Sequence, residues 1–147
     1  MTSLLVDTSV LIKWFHSEGE HELIEARALL RAHQSGEVQA LIIDLAVYEV
    51  GNVSLRALGW SPDDVADQLS DLLLICGPPL PLTAAWLRDA AILGGQHRLS
   101  FYDAAWAAAA RGLTVPLISA DRQLISAGLA ESPTSIAARL RLGNGRQ

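Results

Sequence analysis

Short apolar runs alternate along this chain with stretches whose apolar residues fall at helical spacing. Residues 3–6 are a continuous apolar run, as expected of a buried strand, and residues 8–16 continue with Val10, Leu11, Trp14 and Phe15 on one helical face. Residues 20–35 predict a second helix, with Leu23, Ala26, Leu29 and Leu30 on its apolar side and Gly36 as its stop. Residues 38–43 predict a second strand. Asp44 is placed to cap a helix reaching Leu58, where Gly59 ends it. Ser61, Pro62, Asp63 and Asp64 then supply a cap, a first-turn proline and acids at the positive end of the dipole, opening a helix to Ile75. Gly77, Pro78 and Pro79 break it, residues 80–82 are a candidate short strand, and Thr83 caps a helix through Gln96. Residues 102–111 are helical and apolar almost all round, which predicts burial. Residues 115–118 predict another strand, and a short helix runs from Asp121 to Ala127.

Strands separated by helices, with no hairpin signal between them, predict an α/β fold in which a central parallel sheet is flanked by helices. One domain is expected over residues 1–142, with 143–147 as a flexible tail. Residues 130–147 show no usable pattern.

Composition narrows the setting. The chain has 147 residues, half of them hydrophobic and only 18% charged, which is apolar enough to suggest surface covered by a partner. The lone Cys76 has no internal disulfide partner, and no Cys/His group has zinc-site spacing, so a reducing compartment is expected. The first residues lack a basic leader and carry Asp7 within their apolar stretch, which argues against a signal peptide and for the cytoplasm. No apolar run approaches the roughly 20 residues that span a bilayer. The net charge of −5 does not favour phosphate, so any nucleic-acid affinity must come from local cations or bound metal.

Four acids stand out by position. Asp7 directly follows the first strand and Asp121 closely follows the last, where open parallel sheets place their ligand crevice. Each also has a plainer role available as a helix cap. Asp103 lies in the first turn of the apolar helix, where the dipole favours a carboxylate and burial would demand a counter-ion. Glu49 sits inside a mostly apolar helix beside Val47, Val50 and Val53; with Asn52 and Arg56 it forms either a solvated stripe or one wall of a site. If the four converge, like charges 4 Å apart cost about 4 kcal/mol at an effective dielectric of 20, so a cation is required. Oxygen ligands without cysteine or a histidine pair favour Mg²⁺ or Mn²⁺, which suits phosphodiester hydrolysis.

The segments LLVDTSVLIKWF, DLAVYEVGNV, SFYDAAWAAAA and LISADRQL, in that order, resemble the successive motifs of PIN domains, specifically of the VapC toxins of bacterial toxin–antitoxin pairs. That resemblance implies a PIN-like three-layer sandwich and a homodimeric, Mg²⁺- or Mn²⁺-dependent endoribonuclease acting on RNA. It also implies inhibition by a small VapB-type antitoxin. Carried over position by position, Asp7, Glu49 and Asp103 match the acidic core, Asp121 the more variable fourth acid, and Ser119 the hydroxyl that supports it. The chain departs from the pattern at Ile43, where relatives commonly have proline, and at Trp106, where a smaller residue is common; neither is expected to touch the acids.

Lys13, Arg98 and Arg122 lie near the motifs and are candidates for RNA phosphates, or for ordinary solvated surface. His16, His21, His33 and His97 are scattered and read as surface or packing residues. Trp14, Trp60, Trp86 and Trp106 fall mostly on apolar faces and read as core or dimer contacts. Leu11, Trp14, Phe15, Val50 and Val53 suit either the core or a groove for an amphipathic inhibitor segment. Two other classes fit the residues less well. A phosphatase or receiver-like phosphoacceptor needs a downstream lysine, and its haloacid-dehalogenase form a second aspartate where Ser9 stands; only Lys13 exists, too early. A catalytically inactive PIN-fold binding module would not need all four acids.

Overall fold

The computed structural model describes residues 1–143. Three parallel strands, β1 (Thr2–Val6), β2 (Val38–Leu41) and β3 (Leu117–Ile118), pair in the order β2-β1-β3. Leu5 of the middle strand stands beside Leu41 on one side and Leu117 on the other. Leu4, Leu5 and Val6 are fully buried, so the apolar run at the start of the chain follows from a strand covered on both faces.

Eight α-helices surround the sheet among the described residues: α1 (Thr8–Phe15), α2 (Leu23–Gln34), α3 (Leu45–Asn52), α4 (Pro62–Cys76), α5 (Ala84–His97), α6 (Phe101–Leu113), α7 (Arg122–Ser126) and α8 (Pro133–Arg139). α6 packs against β1 and β3, and α2 against β2 and α1. The alanines Ala104–Ala110 and Trp106 are buried, as the all-round apolarity of this segment predicts. No helix of the described residues is long and apolar enough to cross a membrane.

Several boundaries differ from the sequence pattern, each for a physical reason. α2 begins at Leu23, not near residue 20, because Glu22 adopts a left-handed backbone (φ 58°) and its carboxylate accepts from the N–H and hydroxyl of Thr134. The predicted helix 44–58 is α-helical only to Asn52; Val53–Ala57 is a π-helical turn whose buried Ser54 donates 2.7 Å to Gln68 Oε1. Asp44 makes no side-chain cap bond. The expected strand at 80–82 is a single bridge, Ile43 to Leu80, because Asp44 turns into α3 and its carbonyl, which the Leu82 N–H would need to extend the ladder, accepts from the Val47 N–H. Pro116, which has no N–H to give, shortens the last strand to Leu117–Ile118. α8 was not expected, although Ser132 caps it and Pro133 opens it; its Ile136 and Ala137 are buried, and it packs on α2. The expected tail beyond Gly143 lies outside the described residues.

α5 and α6 meet so closely that a Cβ on Gly112 would fall 2.1 Å from Trp86 Nε1. Helix propensity favours alanine over glycine by about 1 kcal/mol, whereas overpacking costs about 1–3 kcal/mol, so the clash is expected to win. Gly112→Ala is expected to lower the melting temperature by several degrees in a thermal melt. A melting temperature above wild type would show that Trp86 has room to move aside.

Candidate active site

The order β2-β1-β3 reverses direction between β1 and β3, and the crevice beyond their carboxyl ends is where an open parallel sheet exposes a site. Asp7 follows β1, Asp121 follows β3 at the start of α7, Glu49 comes from α3 and Asp103 from the first turn of α6. All four line one cavity of about 390 Å³, together with Thr8, Ser9, Lys13 and Trp106. Ser119 is fully buried behind it.

Asp7 occupies the cap position of α1 without a side-chain cap hydrogen bond. It is 4% exposed. The Ser9 hydroxyl donates to its Oδ1 at 2.6 Å, while Ser9 Oγ accepts from the Ala120 N–H at 2.9 Å. Ser119 Oγ lies 3.4 Å from Ser9 Oγ and accepts from the Asp121 N–H at 3.0 Å. These hydroxyls tie the end of β1 to the end of β3. Burial pushes the Asp7 carboxyl from 3.8 up to about 7; the hydroxyls of Ser119 and Ser9 and the Val10 N–H partly offset this, and the charge of Asp103 adds to it.

The other acids differ in how free they are. Asp121 does cap its helix, Oδ1 accepting from the N–H groups of Gln123 and Leu124 at 2.8 and 3.2 Å. α6 is capped by Ser100, whose Oγ accepts from the Asp103 N–H, so the Asp103 carboxylate is not the cap. Its pKa is raised by burial and by the charge of Asp121, against the pull of Ser100. Glu49 is half-buried, and Oε1 accepts from the Thr8 hydroxyl at 2.9 Å and the Trp106 indole N–H at 2.8 Å. Its expected stripe partners Asn52 and Arg56 are exposed and do not line the cavity.

Trp106 therefore does touch an acid, contrary to the expectation from sequence. Thr8, Ser9 and Trp106 were missed as site residues; the spacing Asp103-x-x-Trp106, which puts both on one helical face, was the available signal. Lys13 lines the cavity but is buried, its ammonium paired with Glu20 Oε1 at 3.0 Å and the His21 carbonyl at 2.6 Å, so it is not a free phosphate contact. Arg98 and Arg122 are exposed and outside the cavity lining. Leu11, Trp14 and Val50 belong to the core; of that set only Phe15 and Val53 are partly accessible. Trp86 packs on Gly112, and Trp60 makes an edge contact with His16. As the side chains stand, no three of the described His, Cys, Asp and Glu residues are arranged to hold a metal ion.

The chain belongs to the PIN domain family, whose model matches residues 4–129. Its fold is similar to that of PAE2754 from Pyrobaculum aerophilum (TM-score 0.70, 23% identity, covering 95% of this chain and 90% of that one). It is also similar to a chain of a toxin–antitoxin complex from Klebsiella pneumoniae (TM-score 0.66, 18% identity, 88% of this chain and 97% of that one). A chain in the structure of FitAB bound to an IR36 DNA fragment is a further likeness (TM-score 0.67, 15% identity, 88% and 94%). No curated protein sequence matches.

Asp7 gives the site a pH signature. Its folded pKa, about 7, lies above the unfolded 3.8, so between these values the folded state holds the extra proton. Stability from this group is therefore present at the acid end and lost as pH rises towards 7. In metal-free buffer, Asp7→Asn is expected to melt higher than wild type, with the difference growing from pH 5 to about pH 7 and levelling off above it in thermal melts. A difference independent of pH would contradict the raised pKa.

Proposed function

We propose that this PIN domain is a divalent-metal-dependent endoribonuclease that hydrolyses RNA phosphodiester bonds as the toxin of a toxin–antitoxin pair. The observation that carries the reading is the convergence of Asp7, Glu49, Asp103 and Asp121, from four separate elements, on one cavity whose single lysine is already paired with Glu20. Burying a carboxylate as deeply as Asp7 without a cation works against folding, so the arrangement calls for a ligand that stability alone does not.

The donor set fits a hard divalent ion such as Mg²⁺ or Mn²⁺, since the cavity offers carboxylate and hydroxyl oxygens and neither thiol nor imidazole. Asp7, Glu49, Asp103 and Asp121 would hold it, and bound there it would polarise a phosphate oxygen and lower the pKa of a bound water. Ser9 and Ser119 orient Asp7 and the backbone that carries Asp121. Asp121 Oδ1 is engaged by the amino end of α7, which makes this acid the less available of the four. Arg98 and Arg122, both exposed, are the cations left to meet RNA phosphates.

The toxin role rests on the likeness of fold to the Klebsiella toxin–antitoxin complex and to FitAB. The partner would be a small VapB-type antitoxin that places an arginine or lysine among the acids, substituting a side-chain charge for the metal. Exposed apolar residues such as Ile24, Tyr48, Leu74, Ile92, Phe101 and Tyr102 would be covered by the antitoxin or by a second copy in a homodimer. Cytoplasmic placement accords with the unpaired Cys76.

In a cleavage assay on RNA, EDTA is expected to abolish activity, and Asp7→Asn or Asp103→Asn to lower it by about two orders of magnitude or more, as loss of a metal ligand implies. Asp121→Asn and Ser119→Ala are expected to be milder. Full activity in EDTA, or wild-type rates in the first two variants, would overturn the assignment. Mg²⁺ or Mn²⁺ at a hundredfold excess over its dissociation constant is expected to add about 2.7 kcal/mol of stability, read as a rise in melting temperature. Co-expression with a basic, amphipathic partner is expected to give a stable inactive complex, and alanine at the inserted cation to restore cleavage. Free, active enzyme at every partner excess would favour a solitary ribonuclease.

A further inference from the structure

Glu49 projects from α3 towards two hydrogen-bond donors on different elements. Thr8 of α1 donates its hydroxyl to Oε1 at 2.9 Å, and Trp106 of α6 donates its indole N–H to the same oxygen at 2.8 Å. Oε2 takes no hydrogen bond from the described residues. We propose that Trp106 is a positioning residue, its indole N–H fixing one oxygen of Glu49 so that the other is left for a cation. The proposal rests on the metal-dependent nuclease reading and adds to it a residue that acts through Glu49.

Three observations carry it. First, Trp106 is 1% exposed, and Glu49 is the acceptor its N–H finds; a buried indole N–H without a partner is costly, so wherever the ring packs, the bond constrains Glu49. Phenylalanine or leucine would fill the core there without that constraint. Second, Trp106 lies three residues after Asp103 on the same helix, so α6 delivers one carboxylate and the clamp for another as one rigid unit. Third, both donors are neutral. The cavity's lysine is paired with Glu20, so Glu49 is oriented from two sides while its charge stays uncompensated. A cationic clamp would hold the side chain equally well and weaken its attraction for a metal.

A tryptophan that merely fills space would also bury its ring, and the experiment separates the two roles on the full chain. In a ¹H–¹⁵N spectrum of the metal-free protein, Trp106→Phe assigns the Trp106 indole peak, and Glu49→Ala is expected to shift it. Calorimetric titration with Mn²⁺ is expected to show roughly tenfold weaker binding in Trp106→Phe, the lower end of what loss of a ligand-orienting partner costs. Thr8→Val is expected to weaken Mn²⁺ in the same direction, and Thr8→Ser to restore it. Wild-type Mn²⁺ affinity in a folded Trp106→Phe overturns the proposal. Should Trp106→Phe fail to fold, the indole peak absent from the Trp14→Phe, Trp60→Phe and Trp86→Phe assignments is that of Trp106, and its failure to move in Glu49→Ala is the overturning result. No Mn²⁺ binding by the wild type would overturn the nuclease reading itself, while the indole shift still decides whether Trp106 holds Glu49.

Discussion

Asp7 sits at the carboxyl end of the middle strand with almost none of its surface in water, and an ionised carboxylate in such a place costs several kcal/mol unless something compensates it. Compensation within the chain is partial. The Ser9 hydroxyl and the Val10 N–H stabilise the charge, yet burial still lifts the pKa to about 7, and Asp103 adds repulsion. The surrounding structure is organised around this unmet demand: Ser9 and Ser119 lock the end of β1 to the loop after β3, and the remaining acids arrive from α3, α6 and α7. That unmet charge is what the proposed divalent cation would neutralise.

The topology makes that concentration of charge possible. In the order β2-β1-β3 the chain leaves β1 towards opposite sides, so the loops after β1 and β3 diverge and open a crevice. α6 packs on both of these strands and presents its amino end, with Asp103, to the same space. Its buried alanines let it approach the sheet closely, and Trp106 fills the gap beside Glu49. Core packing and site geometry are here one arrangement, since the residue that fills the core also hydrogen-bonds a carboxylate of the cavity.

Much of this was legible in the sequence because it depends on local signals. The apolar run before Asp7 marks the central strand, Ser61-Pro62 and Thr83 mark helix starts that the structure bears out, and Asp103 sits in the first turn of a helix too apolar to face water. Strand ends located Asp7 and Asp121, the resemblance to PIN motifs grouped them with Glu49 and Asp103, and the cavity brings all four together. What escaped notice depends on contacts distant in sequence. Glu49 and Trp106 are 57 positions apart, so no local pattern could show their hydrogen bond. The burial of Lys13 follows from a partner, Glu20, held on a turn that periodicity had assigned to a helix. α8 was missed for a different reason: its Ser132-Pro133 start is a plain signal, but its buried apolar face is only Pro133, Ile136 and Ala137.

Under the proposed function the four acids form one divalent-cation site. Anomalous diffraction from crystals grown with Mn²⁺ tests it most directly. The account predicts a peak in the cavity within coordination distance of carboxylate oxygens from Asp7, Glu49 and Asp103. A cavity without such a peak at saturating Mn²⁺, or a peak only at acids elsewhere on the surface, would contradict it.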